Sequence, residues 1–124
     1  MKTNQTVRRV DKPWGYELIW AETGSYVGKI LHVKKGHKLS LQYHQIKEET
    51  MYLLSGRVTL VYENDQGKLE EIDMRPGEAQ HIQPLRKHRL VAVEDSDMAE
   101  VSTPHLGDVV RIEDTYGREG TSKP

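Results

Sequence analysis

Between Gly36 and Gly56 the chain reads GHKLSLQYHQIKEETMYLLSG, and within it an amide, an imidazole and a carboxylate recur at spacings that suit a divalent cation. Gln42 and His44 stand two apart, so on an extended chain both side chains leave the same face. Glu49 lies five residues beyond His44, at the entrance of the apolar run Thr50–Leu54, where a hairpin-like return brings it back. A second stretch, PGEAQHIQPLRKHRL from Pro76 to Leu90, sets His88 at the head of a strand eleven residues after the turn glycine Gly77. Two imidazoles, a carboxylate and an amide oxygen are sensible ligands for a borderline divalent metal. Taken singly, His44 reads equally as a hydrogen-bonded buried histidine, and Glu48-Glu49 as a solvated turn. Their joint spacing sets them apart.

The elements that must position these groups are strands. Short runs rich in β-branched and aromatic residues (Tyr16–Trp20, Tyr26–Val33, Leu39–Tyr43, Thr50–Leu54, Val58–Glu63, His88–Glu94, Met98–Thr103) alternate with Gly, Pro and Asx breakers. That pattern predicts an all-β sandwich or barrel. Val58, Leu60 and Tyr62 alternate with Thr59, Val61 and Glu63, which assigns the first set to an inner face. Asn64–Gly67 suits a hairpin loop into Leu69–Ile72. No segment keeps a helical period for three turns; Ile46–Met51 scores briefly as helical and Ser55-Gly56 cuts it short.

Composition narrows the classes further. The chain has 124 residues, which suits one domain, and a formal net charge of −1, which gives no general grip on nucleic acid or anionic membrane. With no cysteine there is no disulfide framework, thiolate site or cysteine nucleophile. The polar start lacks an apolar run and no stretch approaches a membrane span, so a soluble, cytoplasmic protein is expected. The expected organisation is a loose N-terminal arm over residues 1–10, a barrel over 11–118 and a frayed tail over 119–124.

The spacing resembles the two cupin motifs. Gly36, Gln42, His44, Glu49 and Gly56 fall on the places of the first, and Gly77, Gln83-Pro84-Leu85 and His88 on those of the second. Gln42 replaces the usual first histidine, and a Gln-x-His version preceded by Leu-Ser-Leu is what phosphomannose isomerases carry. Lys12-Pro13-Trp14-Gly15, Leu39–His44, Lys87–Leu90 and Val109–Arg118 are all similar to the cupin domain of the type II enzymes. The resemblance spans about Asp11 to Arg118 and implies a jelly-roll barrel. It departs at Leu85, which occupies the glycine place of the second-motif turn and so predicts an altered turn, and at Thr50, where relatives often have histidine. No glycine-rich nucleotidyl-transfer loop precedes the barrel, so sugar-nucleotide synthesis is not expected.

The resemblance implies a metal-dependent sugar-phosphate isomerase that interconverts mannose 6-phosphate and fructose 6-phosphate through an ene-diolate. Gln42, His44, Glu49 and His88 would hold one divalent ion, which these ligand types leave open among zinc, manganese, cobalt, nickel and iron. Lys29, His81 and Glu48 are the candidate bases, each reading equally as a solvated surface residue, and Arg111, Arg118 and Lys12 are the candidates for the phosphate. Arg89, next to His88 on a strand, points to the opposite face, as does Tyr43 relative to Gln42 and His44. Trp14 and Trp20 read as core or dimer contacts, and a homodimer is expected because an open sheet edge is a liability. Two readings stay open beside the isomerase: a non-haem Fe(II) dioxygenase, and a non-catalytic sugar-binding or sensing cupin.

Overall fold

The computed structural model describes residues 6–118 and 120–121, and among them it contains strands and no α-helix. The strands are β1 (Arg8–Lys12), β2 (Gly15–Glu22), β3 (Val27–Val33), β4 (Leu41–Tyr43), β5 (Glu49–Ser55), β6 (Val58–Glu63), β7 (Leu69–Met74), β8 (Ala79–Ile82), β9 (His88–Ala92), β10 (Ser96–Ser102), β11 (Val110–Glu113) and β12 (Gly120–Thr121). They form two six-stranded antiparallel sheets, in the orders β1-β2-β3-β10-β5-β8 and β12-β11-β4-β9-β6-β7. Chain-distant strands are therefore neighbours, and the architecture is the expected all-β jelly roll. Among the described residues no helix is long and apolar enough to cross a membrane.

Period-two alternation decides what each sheet turns inward. In β5 the buried residues are Glu49, Met51 and Leu53, in β10 Ser96, Met98, Glu100 and Ser102, and in β9 His88, Leu90 and Ala92. Val58 and Leu60 of β6 are buried and Tyr62 packs against the core, as the alternation predicts. The apolar core gathers Trp14, Leu31, Val33, Met51, Leu53, Leu60, Met74, Ile82, Leu90 and Met98. It fills one end of the space between the sheets. At the other end the inward positions of the same strands carry Glu17, Lys29, Glu49, Glu100, His88 and Arg111, all buried.

Two terminal expectations need correction. Arg8–Val10 of the expected arm belongs to β1, which pairs along β2 and covers its edge, with Arg8 Nη2 2.9 Å from Glu22 Oε1. Of the expected tail, Gly120–Thr121 pairs with β11, while residues 1–5, 119 and 122–124 lie outside the described residues. The segment scored as helical supplies a loop and then β5. Trp14 is core, as expected, whereas Trp20 is 45% exposed. Trp20 sits at a register shift between Ile19 and Ala21, and its ring lies over Gly28, where an added Cβ would fall 2.7 Å from the indole.

Candidate metal centre and pocket

His44 follows the short strand β4, Glu49 opens β5 and His88 opens β9, so both sheets contribute to one cluster. A nitrogen or oxygen from each of the three lies within 4.8 Å of the others, and all three residues are buried. Glu49 Oε1 is 3.4 Å from His44 Nε2 and 3.2 Å from His88 Nε2. The outer nitrogens fix the tautomers. His44 Nδ1 lies 2.6 Å from the carbonyl oxygen of Asp108, and His88 Nδ1 lies 2.9 Å from that of Arg86. A carbonyl only accepts, so in each neutral ring Nδ1 carries the hydrogen and the Nε2 lone pair points inward. Two lone pairs and a carboxylate oxygen then face one another, buried and without a hydrogen-bond partner. A cation satisfies all three, so the donor set fits a divalent metal.

Gln42 stands opposite His88 across β4 and β9, and Arg111 of β11 stands opposite Gln42. Ser40 Oγ donates to Gln42 Oε1 at 2.7 Å, which orients the amide. Residues directly opposite in a sheet share a face, so Arg111, Gln42 and His88 form one inward row. Arg111 is thus two strand spacings from His88, about 10 Å. Gln42 and His44 line a pocket together with Lys12, Glu17, Lys29, Lys47, Arg111 and Arg118. Arg111 Nε and Nη1 are buried there without an acceptor. Burial first, and then the neighbouring Arg118, lower the Arg111 pKa. Lys12 is lowered in the same way, by burial and by the charges of Lys29, Arg111 and Arg118, against the pull of Glu17. Arg118 is held by Asp114, Nε to Oδ2 at 2.8 Å.

Behind the cluster runs a buried chain of alternating charge. Glu49 Oε2 lies 3.1 Å from Lys47 Nζ, which lies 3.3 Å from Glu100 Oε2. The same Glu100 oxygen is 3.6 Å from Lys29 Nζ, which donates to Glu17 Oε2 at 3.2 Å. Burial works against the Lys47 charge, but Glu100 and Glu49 hold its pKa above the ordinary lysine range. Of the two carboxylates on Lys47, Glu49 lies well below the ordinary carboxylate range: burial works against its charge, and Lys47 beside it outweighs that. Burial and the Glu49 charge push Glu100 upward.

Of the candidate bases, Lys29 lines the pocket. His81 and Glu48 instead pair with each other, Nε2 to Oε2 at 2.5 Å, about half exposed. They border a second, open groove with Tyr26 and Thr103, which Glu49 of the cluster also lines. The phosphate candidates Arg111, Arg118 and Lys12 all line the pocket. Arg89 points outward and bonds Leu39 O and Glu113, as strand alternation requires. His37 stacks on Tyr116. Leu85 takes a left-handed backbone, at φ 68°, which only glycine reaches without cost, and its N–H donates to His44 O at 2.7 Å.

Glu17, Lys47 and Glu100 escaped the sequence reading. For Glu17 and Glu100 the signal was the inward phase of strands β2 and β10, read through charged rather than apolar residues; Lys47 sits in the loop before β5 and had none. Asp108 escaped it too. Its carboxylate accepts the N–H groups of Gln45, Ile46 and Lys47 while its carbonyl orients His44.

A family model described as a cupin domain matches residues 29–103, more than half of the chain. The chain belongs to the cupin family. Among solved structures this cupin is similar to KdgF from Halomonas sp., with 21% identity and a TM-score of 0.69 over 81% of this chain and 88% of that one. It is similar to the nucleoside dehydratase Pac13 of Streptomyces, with 14% identity and a TM-score of 0.74 over 92% and 93%. It is also similar to oxalate decarboxylase from Bacillus subtilis, with 13% identity and a TM-score of 0.74 over 86% of this chain but 30% of that chain. Such identities establish a shared fold, and the latter two proteins are enzymes. No curated protein matches the sequence.

Proposed function

We propose that this cupin is a metal-dependent sugar-phosphate isomerase, with mannose 6-phosphate and fructose 6-phosphate as the interconverted pair. One observation carries the reading: His44, which faces the partnerless donors of Glu49 and His88, lines one pocket with Arg111, whose buried Nε and Nη1 lack an acceptor. His44, Glu49 and His88 would hold the ion, with Gln42 as the fourth ligand. A divalent ion bound there supplies Lewis acidity toward a sugar carbonyl and so favours an ene-diolate. Arg111 offers Nε and Nη1 to the phosphate, at a separation from His88 on the scale of an extended hexose phosphate. Arg118, fixed by Asp114, and Lys12 add positive charge beside it. Lys29 contributes an ammonium to the pocket wall, while His81 and Glu48 take no part.

The test is an NMR time course of mannose 6-phosphate with metal-reconstituted protein beside a chelated control. Fructose 6-phosphate in the loaded sample alone supports the reading, and His88→Ala should then lose both bound metal and turnover. No conversion with zinc, manganese, cobalt, nickel or iron removes it. Two histidines and a carboxylate also suit non-haem iron, so oxygen uptake by an iron-loaded sample would point to a dioxygenase. We also propose that a second copy covers the exposed Trp20, Tyr52, Leu54 and Val101 on the sheet that contains β2, β5 and β10. A clean monomer by light scattering removes that claim.

A further inference from the structure

Aldose–ketose interconversion requires a group that takes the C2 proton and returns it to C1, within reach of both carbons. The titratable residues lining the pocket are Lys12, Glu17, Lys29, His44, Lys47, Arg111 and Arg118. His44 belongs to the metal cluster, and Lys47 is engaged by Glu49 and Glu100. The guanidinium groups do not deprotonate. Lys29 donates to one carboxylate and lies beside another, so it is placed as a cation between them. Lys12 is the alternative amine, its pKa lowered by burial and by the charges of Lys29, Arg111 and Arg118 against the pull of Glu17, but no hydrogen bond fixes it among the described residues.

Glu17 is different. It is the one carboxylate among these lining residues, and it is only 7% exposed. Its Oε2 accepts from Lys29, while Oε1 has no hydrogen bond among the described residues. Lys29 is itself held by Glu100, which stands directly opposite it across β3 and β10. The free oxygen of Glu17 is thus aimed by a chain of residues on rigid strands.

We propose that Glu17 is the catalytic base and that Lys29, set by Glu100, is the residue that positions it; this rests on the isomerase reading. Glu17 removes the proton from C2 of the open-chain aldose, and the electron pair of that C–H bond becomes the C1–C2 double bond as the carbonyl oxygen takes up negative charge. The hydroxyl proton on O2 passes to O1. The Glu17 carboxylic acid then returns its proton to C1, C2 becomes the carbonyl carbon, and the carboxylate is restored. No oxidant or reductant is needed.

The experiment follows mannose 6-phosphate in D2O with the metal-loaded full chain. Wild type should place deuterium at C1 of the product in the fraction of turnovers in which the Glu17 acid exchanges with solvent before returning its proton. Glu17→Gln should slow conversion and exchange at least about 100-fold. Its metal stoichiometry, melting temperature and inorganic phosphate affinity should stay within about twofold of wild type. Glu17→Asp keeps the charge and guards against a misfolded amide variant; it should recover part of the rate. Lys29→Met should lower kcat with little change in KM, and Lys29→Arg should restore part of it. Glu17→Gln within tenfold of a competent wild type overturns the assignment and leaves the isomerase reading standing. A wild type that converts nothing overturns the isomerase reading, and this assignment with it.

Discussion

Leu85 occupies the left-handed region at φ 68°, a conformation that costs an L-residue about 1–2 kcal/mol, while its side chain lies 65% exposed and gains little by packing. Glycine there would relieve the strain, offset in part by about 0.4–1 kcal/mol of added freedom in the unfolded chain. Leu85→Gly should therefore raise stability by up to about 1 kcal/mol, read by urea denaturation, with metal binding unchanged because the bond from residue 85 N–H to His44 O survives. A melting point that falls instead would mean that the leucine makes a contact worth more than its strain. The sequence showed the substitution plainly. It could not show the backbone that Leu85 adopts, because that backbone comes with a tertiary hydrogen bond to His44. Gln42 and His44 were legible from spacing of two along a strand, whereas the tautomers depended on carbonyls of Asp108 and Arg86, one of them far away in the chain.

Among the elements, the loop between β4 and β5 carries His44 and Lys47, and its backbone is gripped from elsewhere. Three consecutive N–H groups converge on the Asp108 carboxylate at 2.7–3.0 Å. Burial would raise the pKa of that carboxyl, but the amides of Ile46, Lys47 and Gln45 outweigh it and lower the value. The ionised form is thus favoured by folding. Its contribution is complete above the unfolded value of about 3.9 and fades as pH falls through the lower folded value. Asp108→Asn should cost about 2 kcal/mol at pH 7, and the gap between variant and wild type should narrow in melts below about pH 4. A gap that is the same at pH 7 and pH 3 would deny the charge any role. The strand pattern had announced most elements, including the β6–β7 hairpin. It overlooked β1, β8, β11 and β12, which are charged or brief and carry too few apolar positions to show a period. Glu17, Lys29 and Glu100 stood in the inward phase of their strands, and a reading for apolar residues alone passed over two of them.

At the scale of the molecule the space between the sheets is divided, with a packed apolar end and an end whose buried walls carry opposite charges. Fold class could be read from turns and alternation because it depends on local pattern; the division could not, since it needs the register that sets Lys29 against Glu100 and Gln42 against His88. Buried charges are weak sources of stability, and replacing them by apolar residues of similar volume is often neutral or stabilising by about 1–4 kcal/mol. The combined change Glu17→Met, Lys29→Met and Glu100→Met leaves the Lys47–Glu49 pair in place and should keep or raise the melting temperature while abolishing turnover. A large fall in melting temperature would show the network to be a strut of the fold. The expected result makes the charged end a standing conflict between endurance and chemistry: selection for thermal robustness alone would erode this pocket from its walls inward, and a cupin that had lost its reaction would be recognisable by an apolar stripe where these carboxylates and ammoniums now alternate.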